Sequence, residues 1–287
     1  MRGLFKRPSI VLWLQYRGCI RIYHYVFWQY FAMFKRMKKI ISPDNALVKK
    51  ALKLKDPRNR DMFDRCLVEG VRAVETFLNS PYKLNRIYIT EKHLPWAQTH
   101  CKEEAIVIVS DQLMQKISST VSPSGVIGMF DIPEQRPLTE LTSGLVLANL
   151  QDPGNVGTLI RTATALNTCV VLIEGVNPYN QKVIQATAGT IAKANLFRCS
   201  WQKLVQHKKS ICLSALVVKD GASIHAISTS PRQRLLVVGS EAHGLPPEWL
   251  AQCDDSITLP MPGGTESLNA AVAGSIALYM TFMKDNA

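Results

Sequence analysis

At 287 residues and 47% hydrophobic, the chain is long enough to bury a sizeable core in one large domain or two modest ones. Its formal charge of +12 is unevenly placed: residues 1–60 hold 15 Lys and Arg against 2 Asp and Glu, a balance of +13, while residues 61–287 hold 19 against 20, a balance of −1. Seven scattered cysteines without a Cys-x-x-Cys pair argue against a disulfide framework or a zinc site and for free thiols in a reducing compartment; the histidines show no ligand spacing, so no metal is expected.

The arm over residues 1–41 carries the basic excess and interleaves it with Trp13, Tyr16, Tyr23, Tyr25, Phe27, Trp28, Tyr30, Phe31 and Phe34, a composition suited to phosphate contact and base stacking. Arg17 and Arg21 interrupt its apolar run and no small-residue cleavage site follows, against a signal peptide. The uncharged stretch 22–34 is shorter than the roughly 20 apolar residues a bilayer span needs, so no membrane partner and a cytoplasmic location are expected. The other reading places the arm outside the native protein, with Met33 or Met37 as the start, because Lys38-Lys39-Ile-Ile-Ser-Pro-Asp-Asn45 reads as the opening of a domain.

Residues 42–131 read as a small α/β unit. The stretch 45–55 sets Leu47, Val48, Ala51 and Leu52 against Lys49, Lys50, Lys53 and Lys55, a basic amphipathic helix. The stretch 63–78 places Leu67, Val71, Val74 and Leu78 at helical spacing, which makes Glu69 a solvated helix residue. Strand-like runs follow at Arg86-Ile-Tyr-Ile-Thr90, Ala105-Ile-Val-Ile-Val109 and Gly125-Val-Ile-Gly-Met-Phe130, with a short helix opened by Ser110 or Asp111 before the last. Lys49, Lys50, Lys53, Arg58 and Arg60 are either phosphate contacts or an ordinary solvated face. Residues 132–143, polar and broken by Pro133 and Pro137, form a linker.

From 144 to 287 strand-like runs (145–150, 169–173, 211–218, 235–239, 255–259) alternate with helical ones, which predicts a mainly parallel sheet covered by helices. Ligands of such sheets bind beyond the carboxyl ends of strands, where the turns at Asp152, Gly239 and Pro260 fall. There is no G-x-G-x-x-G, G-x-x-x-x-G-K-[ST] or G-x-S-x-G, which removes a Rossmann dinucleotide site, a P-loop and a hydrolase elbow. After Pro260, Pro262 and Gly263-Gly264 the chain enters a helix expected to be capped by Ser267. It is rich in Ala and Gly, free of charge up to Met283, and therefore expected to be buried on all sides.

Three stretches in order carry a resemblance: Leu145-Val-Leu-Ala-Asn-Leu-Gln-Asp-Pro-Gly-Asn-Val-Gly-Thr-Leu-Ile-Arg161, Leu235-Leu-Val-Val-Gly-Ser-Glu-Ala-His-Gly-Leu245, and Ile257-Thr-Leu-Pro-Met-Pro-Gly-Gly-Thr-Glu-Ser-Leu-Asn269. Together they resemble the signature motifs of the SpoU/TrmH family of RNA 2′-O-ribose methyltransferases. The resemblance implies a trefoil-knotted SPOUT domain over 144–287 and a homodimer formed through it. The pieces Phe63…Val68-Glu69-Gly70 and Ser119-Thr-Val-Ser-Pro-Ser-Gly-Val-Ile-Gly128 look like the L30e-like α/β domain that precedes it in many members, here over 42–131, and holds structured RNA. It implies S-adenosyl-L-methionine as methyl donor, bound at Gly239, Leu259 and Leu268, with catalytic positions at Arg161, Asn155, Glu241, Ser267 and Asn269. Asn155 also reads as a helix cap, Glu241 as a solvated turn carboxylate, and His243 as an exposed loop residue. Arg161 is either the activating base or, more simply for a guanidinium that has no acceptor while protonated, a clamp on phosphate and developing alkoxide. Ribosomal RNA is favoured over transfer RNA by analogy. A base-nitrogen methyltransferase and a non-catalytic RNA-binding or ribosome-assembly protein are the competing readings.

Overall fold

The computed structural model describes residues 39–208, 211–226 and 233–285, so residues 1–38 of the arm expected over 1–41 lie outside the described residues. Two sheets organise them. The first has the order β1-β4-β2-β3, built from β1 (Arg65–Glu69), β2 (Lys83–Ile89), β3 (Ile106–Ile108) and β4 (Val126–Asp131). Only the β2–β3 pair is parallel. Helices α1 (Ala46–Lys53), α2 (Pro57–Phe63), α3 (Val71–Leu78), α4 (Leu94–His100) and α5 (Asp111–Ile117) accompany it.

The single helix expected over 63–78 is instead strand β1 followed by α3. Although β1 is an edge strand, Cys66, Leu67 and Val68 are all buried, Cys66 and Val68 in the core on one face and Leu67 in the core on the other, and β1 pairs antiparallel with β4 in the register Cys66↔Phe130. Gly70, at φ +102, breaks the strand and opens the helix. Leu67 falls at helical spacing from Val71 and Val74 only by coincidence.

Several basic residues of this lobe turn out to be structural. Lys55 Nζ donates to the Lys116 and Ser118 carbonyls, each at 2.8 Å, and so satisfies the carboxyl end of α5. Lys49 pairs with Asp44 at 2.9 Å and Arg58 with Asp56 at 3.0 Å, while Lys50 and Lys53 face solvent. The Arg60 side chain lies outside the described residues.

The second sheet has seven strands, all paired in parallel, in the order β7-β6-β5-β10-β8-β11-β9. They are β5 (Gly144–Ala148), β6 (Cys169–Ile173), β7 (Asn195–Arg198), β8 (Cys212–Leu216), β9 (Ala222–Ser223), β10 (Arg234–Val238) and β11 (Asp255–Thr258). Every residue of β5 and β6 is buried, the pattern of parallel strands covered by helices on both sides. The helices are α6 (Pro153–Ala165), α7 (Gln181–Ala186), α8 (Trp201–His207), α9 (Pro247–Leu250) and α10 (Ala270–Asp285). Edge strands β7 and β9 escape sequence reading because one is four residues long with only Phe197 fully buried, and the other is two residues long and exposed. Beneath the sheet, Trp201 and Trp249 stack with centroids 4.9 Å apart and planes within 5°, and Trp201 Nε1 donates to Gln252 Oε1 at 3.0 Å.

The lobes are packed together. The Tyr82 hydroxyl donates to that of Tyr179 at 3.3 Å, with the rings edge to face at 6.2 Å, and burial pushes both phenols up from their ordinary pKa. Gly189, at φ +84, lies so near Ala73 that a Cβ there would sit 2.9 Å from the Ala73 Cα. The connecting stretch is polar but not detached: Leu141 is buried in the core that holds Trp201.

Candidate active site

Because all seven strands run in parallel, the chain leaves β5, β10 and β11 at one edge of the sheet, and three loops form the site there. After β5, Asp152 caps α6, its carboxylate accepting from the Asn155 N–H at 2.7 Å, with Pro153 at the first helical position. The cap is thus Asp152, not Asn155. The Asp152 carboxylate accepts from the turn, and the side chain of Asn155, the third residue of the helix, is released to bond elsewhere.

After β10 the chain doubles back. A Cβ at Gly239 would come within 2.5 Å of the Gly244 carbonyl carbon and 2.7 Å of Leu245 N, so glycine is required there. Ser240 and Gly244 exchange backbone bonds of 3.1 and 2.9 Å, and Ser240 Oγ accepts from the His243 N–H at 3.3 Å. Glu241, Ala242 and His243 form the exposed tip of this turn.

After β11, Ser267 does not cap the helix. Residues 263–268 continue as an exposed loop, and α10 begins at Ala270 with Asn269 as its cap, Oδ1 accepting from Ala271 N at 2.9 Å and Val272 N at 3.2 Å. Asparagine here both caps and donates, which serine cannot do over the same reach.

These loops are joined by one directional chain of hydrogen bonds. Asn269 Nδ2 donates to Asn155 Oδ1 at 3.0 Å, and Asn155 Nδ2 donates to Glu241 Oε1 at 2.7 Å. Each amide uses its carbonyl as acceptor and its NH2 as donor, and the chain ends on a carboxylate, a charge-assisted bond. Beside it lies a cavity of about 630 Å³ lined by Val218, Val238, Gly239, Glu241, Leu259, Met261, Ser267, Leu268 and Asn269. Its volume suits a small-molecule ligand, and its walls combine apolar side chains with turn backbone. Two larger cavities, of about 720 and 750 Å³, lie at the seam between the lobes, away from these motif residues.

The structure therefore brings Gly239, Leu259, Leu268, Glu241, Ser267 and Asn269 to one cavity, with Asn155 bonded to its rim. Arg161 stands apart on α6, exposed and outside the cavity lining. Helix α6 packs against α10 closely enough that a Cβ on Gly274 would approach Leu159 Cδ2 to 2.7 Å, and the Thr162 and Ser275 hydroxyls bond at 3.0 Å. The small residues of α10 permit this approach. The helix is not buried on all sides, however. Ala271, Ala277, Leu278 and Thr281 face the core, whereas Val272, Ile276 and Tyr279, in line with Leu268, are 46%, 40%, 54% and 39% exposed respectively. Among the described residues no group of three His, Cys, Asp or Glu gathers as a metal site would need, and no helix is long and apolar enough to cross a membrane.

A parallel sheet with three loops closing on one cavity at its carboxyl edge, joined to a small mixed-sheet lobe, defines a two-lobed α/β ligand-binding protein. Residues 143–279 match the SpoU rRNA Methylase family, and residues 45–128 the MRM3-like substrate binding domain. The chain is 28% identical over 247 residues to the 23S rRNA (guanosine(2553)-2′-O)-methyltransferase RlmP of Bacillus subtilis, covering 85% of this chain and 98% of that one. It is 29% identical over 189 residues to the 23S rRNA (guanosine-2′-O-)-methyltransferase RlmB of Xanthomonas axonopodis pv. citri, covering 60% and 74%. A crystal structure of an RNA 2′-O ribose methyltransferase is similar with a TM-score of 0.72 at 27% identity, over 87% of this chain and 100% of that one. The fold is also that of an AdoMet-bound rRNA methyltransferase from Sinorhizobium meliloti, with a TM-score of 0.77 at 22% identity over 85% and 97%. Residues 143–279 thus form a SpoU-family methylase domain, preceded over 45–128 by an MRM3-like substrate-binding domain, and the relatives so built are RNA 2′-O-methyltransferases by name.

Proposed function

We propose that this protein is a methyltransferase that uses S-adenosyl-L-methionine to methylate a ribose 2′-hydroxyl in structured RNA, ribosomal rather than transfer RNA. The observation that carries the reading is the Asn269–Asn155–Glu241 chain, which ties three separated motifs around one cavity. The relatives named above act on 23S ribosomal RNA by name, which favours that substrate. Domain limits of 42–131 and 144–287, joined by residues 132–143, a cytoplasmic setting and the trefoil-knotted path of SPOUT domains belong to the same reading. The insertion of β10 between β5 and β8 supports that path.

The residues present fit the donor. Backbone at Gly239 and the apolar walls from Leu259 and Leu268 suit a planar base and a thioether chain. When bound, the donor supplies an electrophilic methyl group on a sulfonium. The protein's own contribution is position and charge: Asn155, Glu241 and Asn269 hold the loops, Ser267 adds a hydroxyl at the cavity wall, and Arg161 grips a phosphate beside the target ribose. The same guanidinium would stabilise the developing alkoxide while solvent takes the hydroxyl proton; the methyl would pass to the ribose oxygen as its bond to the sulfonium breaks, leaving a neutral thioether. Asn155→Asp sets a second carboxylate against Glu241 and reverses no donor to replace the lost one; kcat/KM is expected to fall about tenfold or more in methyl-transfer assays, with melting temperature little changed because both groups are near the surface.

The exposed stripe Val272, Ile276 and Tyr279 on α10 is the face of a homodimer, since a monomer has no use for three aligned apolar side chains on one helix. Pairing through it carries Arg161 toward a cavity shared between subunits. Ile276→Asp is expected to shift sedimentation from dimer to monomer and to abolish turnover; a variant that stays dimeric would contradict this interface. The function itself is tested by titrating the donor calorimetrically and then following labelled methyl groups into total RNA. Donor binding with label in ribose supports the proposal, label on a base nitrogen moves it to the base-methylating reading, and absence of donor binding leaves a non-catalytic RNA-binding protein.

A further inference from the structure

The loop Ser118-Ser-Thr-Val-Ser-Pro-Ser-Gly125 between α5 and β4 has no apolar core of its own, yet it is fixed from several directions. Glu69, the last residue of β1, accepts from Ser118 Oγ at 2.8 and 2.9 Å, from Thr120 Oγ1 at 3.0 Å, and from the N–H groups of Ser119 and Ser124 at 3.3 and 3.4 Å. It is therefore not the solvated helix residue its sequence context suggests. Gln115 Nε2 donates to the Thr120 and Val121 carbonyls, each at 3.2 Å. Gly125, at φ +85, is packed so close to His93 that a Cβ would meet its ring at 2.7 Å.

The loop is also tied to the catalytic lobe. Ser119 Oγ accepts from Gln185 Nε2 of α7 at 2.7 Å, and α7 lies on α6 so closely that a Cβ on Gly157 would sit 2.4 Å from the Ala186 Cβ. Helix α6 is the one that carries Asn155 and Arg161. On the other side α1, with Lys50 and Lys53 in solvent, packs against α5, and Lys55 reaches the Ser118 carbonyl. At the tip of this braced loop Val121 is 94% exposed, with Ser122 exposed beside it.

A carboxylate spent on four backbone and hydroxyl neighbours, holding up a bare valine in basic surroundings, is preorganisation without benefit to the core. We propose that the loop 118–125 is an RNA-reading element: Val121 packs on an unstacked base near the target ribose, Ser122 supplies a hydroxyl to its edge or 2′-OH, and Glu69 is the positioning residue that fixes the loop. Single-stranded RNA offers such splayed bases, and the loop is linked through Gln185 of α7 to α6, the helix that carries Arg161. The inference rests on the RNA 2′-O-methylation reading and narrows it to where the substrate is gripped.

The test compares wild type, Val121→Asp, Val121→Leu and Glu69→Gln as full chains, with ribosomal RNA as substrate and labelled donor. Val121→Asp is expected to raise the RNA KM about tenfold, with kcat, donor affinity and melting temperature unchanged, while Val121→Leu stays near wild type. Glu69→Gln is expected to raise the same KM and to speed amide exchange across 118–124. An active wild type with an unaltered KM in Val121→Asp overturns the loop's role alone. A wild type that moves no methyl to RNA overturns the reading of the site itself.

Discussion

Arg161→Ala is expected to lower kcat/KM for RNA methylation at least a hundredfold, about the loss seen when one preorganised charge-stabilising donor is removed. Its donor affinity should be unchanged, because Arg161 lies outside the cavity. The side chain is placed by a well-anchored helix: Asp152 caps α6, Asn155 ties its first turn to both neighbouring loops, and Leu159 and Thr162 hold its flank against α10. Arg161 itself is exposed, so its removal leaves no hole in the core and no buried partner behind. Arg161→Lys should recover only part of the rate, since an ammonium cannot hold phosphate bidentately. A single-turnover assay with saturating donor checks both. Near-normal turnover in the alanine variant would remove Arg161 from the chemistry.

Gly239→Ala should act on the other half of the reaction. The added methyl would meet the Gly244 carbonyl and Leu245 N, which are backbone and cannot rotate aside. The turn must open, carrying Glu241 away from Asn155 and widening the cavity wall. Overpacking of this kind costs about 1–3 kcal/mol, so donor affinity is expected to fall roughly tenfold to a hundredfold by calorimetry. Gly263→Ala, in a loop where an added Cβ meets nothing within 4 Å, is the control and should bind normally. Equal affinity in both variants would mean that the turn after β10 does not shape the donor site.

Much of this was readable because the determinants are local. Strands β5, β6 and β10 contain continuous apolar runs, and the turns after Ala148, Val238 and Thr258 announce themselves through Pro, Gly and Asp. What escaped reading depends on distance. Nothing near Glu69 in sequence shows that Ser118, Thr120 and Ser124 converge on it from some 50 residues away, because the pairing of β1 with β4 makes that meeting. Ser267 and Asn269 are both competent caps; the choice falls to Asn269 because the same side chain also reaches Asn155 across 114 positions. The composition of α10 suggests full burial, yet only one side meets α6 and the sheet, and Val272, Ile276 and Tyr279 on the other are exposed.

The central claim is that three loops at one sheet edge place a methyl donor beside a ribose hydroxyl. It is tested most directly by incubating ribosomal RNA with the protein and donor, then hydrolysing it in alkali. A 2′-O-methyl group blocks cleavage of the adjacent phosphodiester, so the account predicts one new resistant position that is absent without donor and absent with Arg161→Ala. Methyl incorporation with an unbroken alkaline ladder would contradict it.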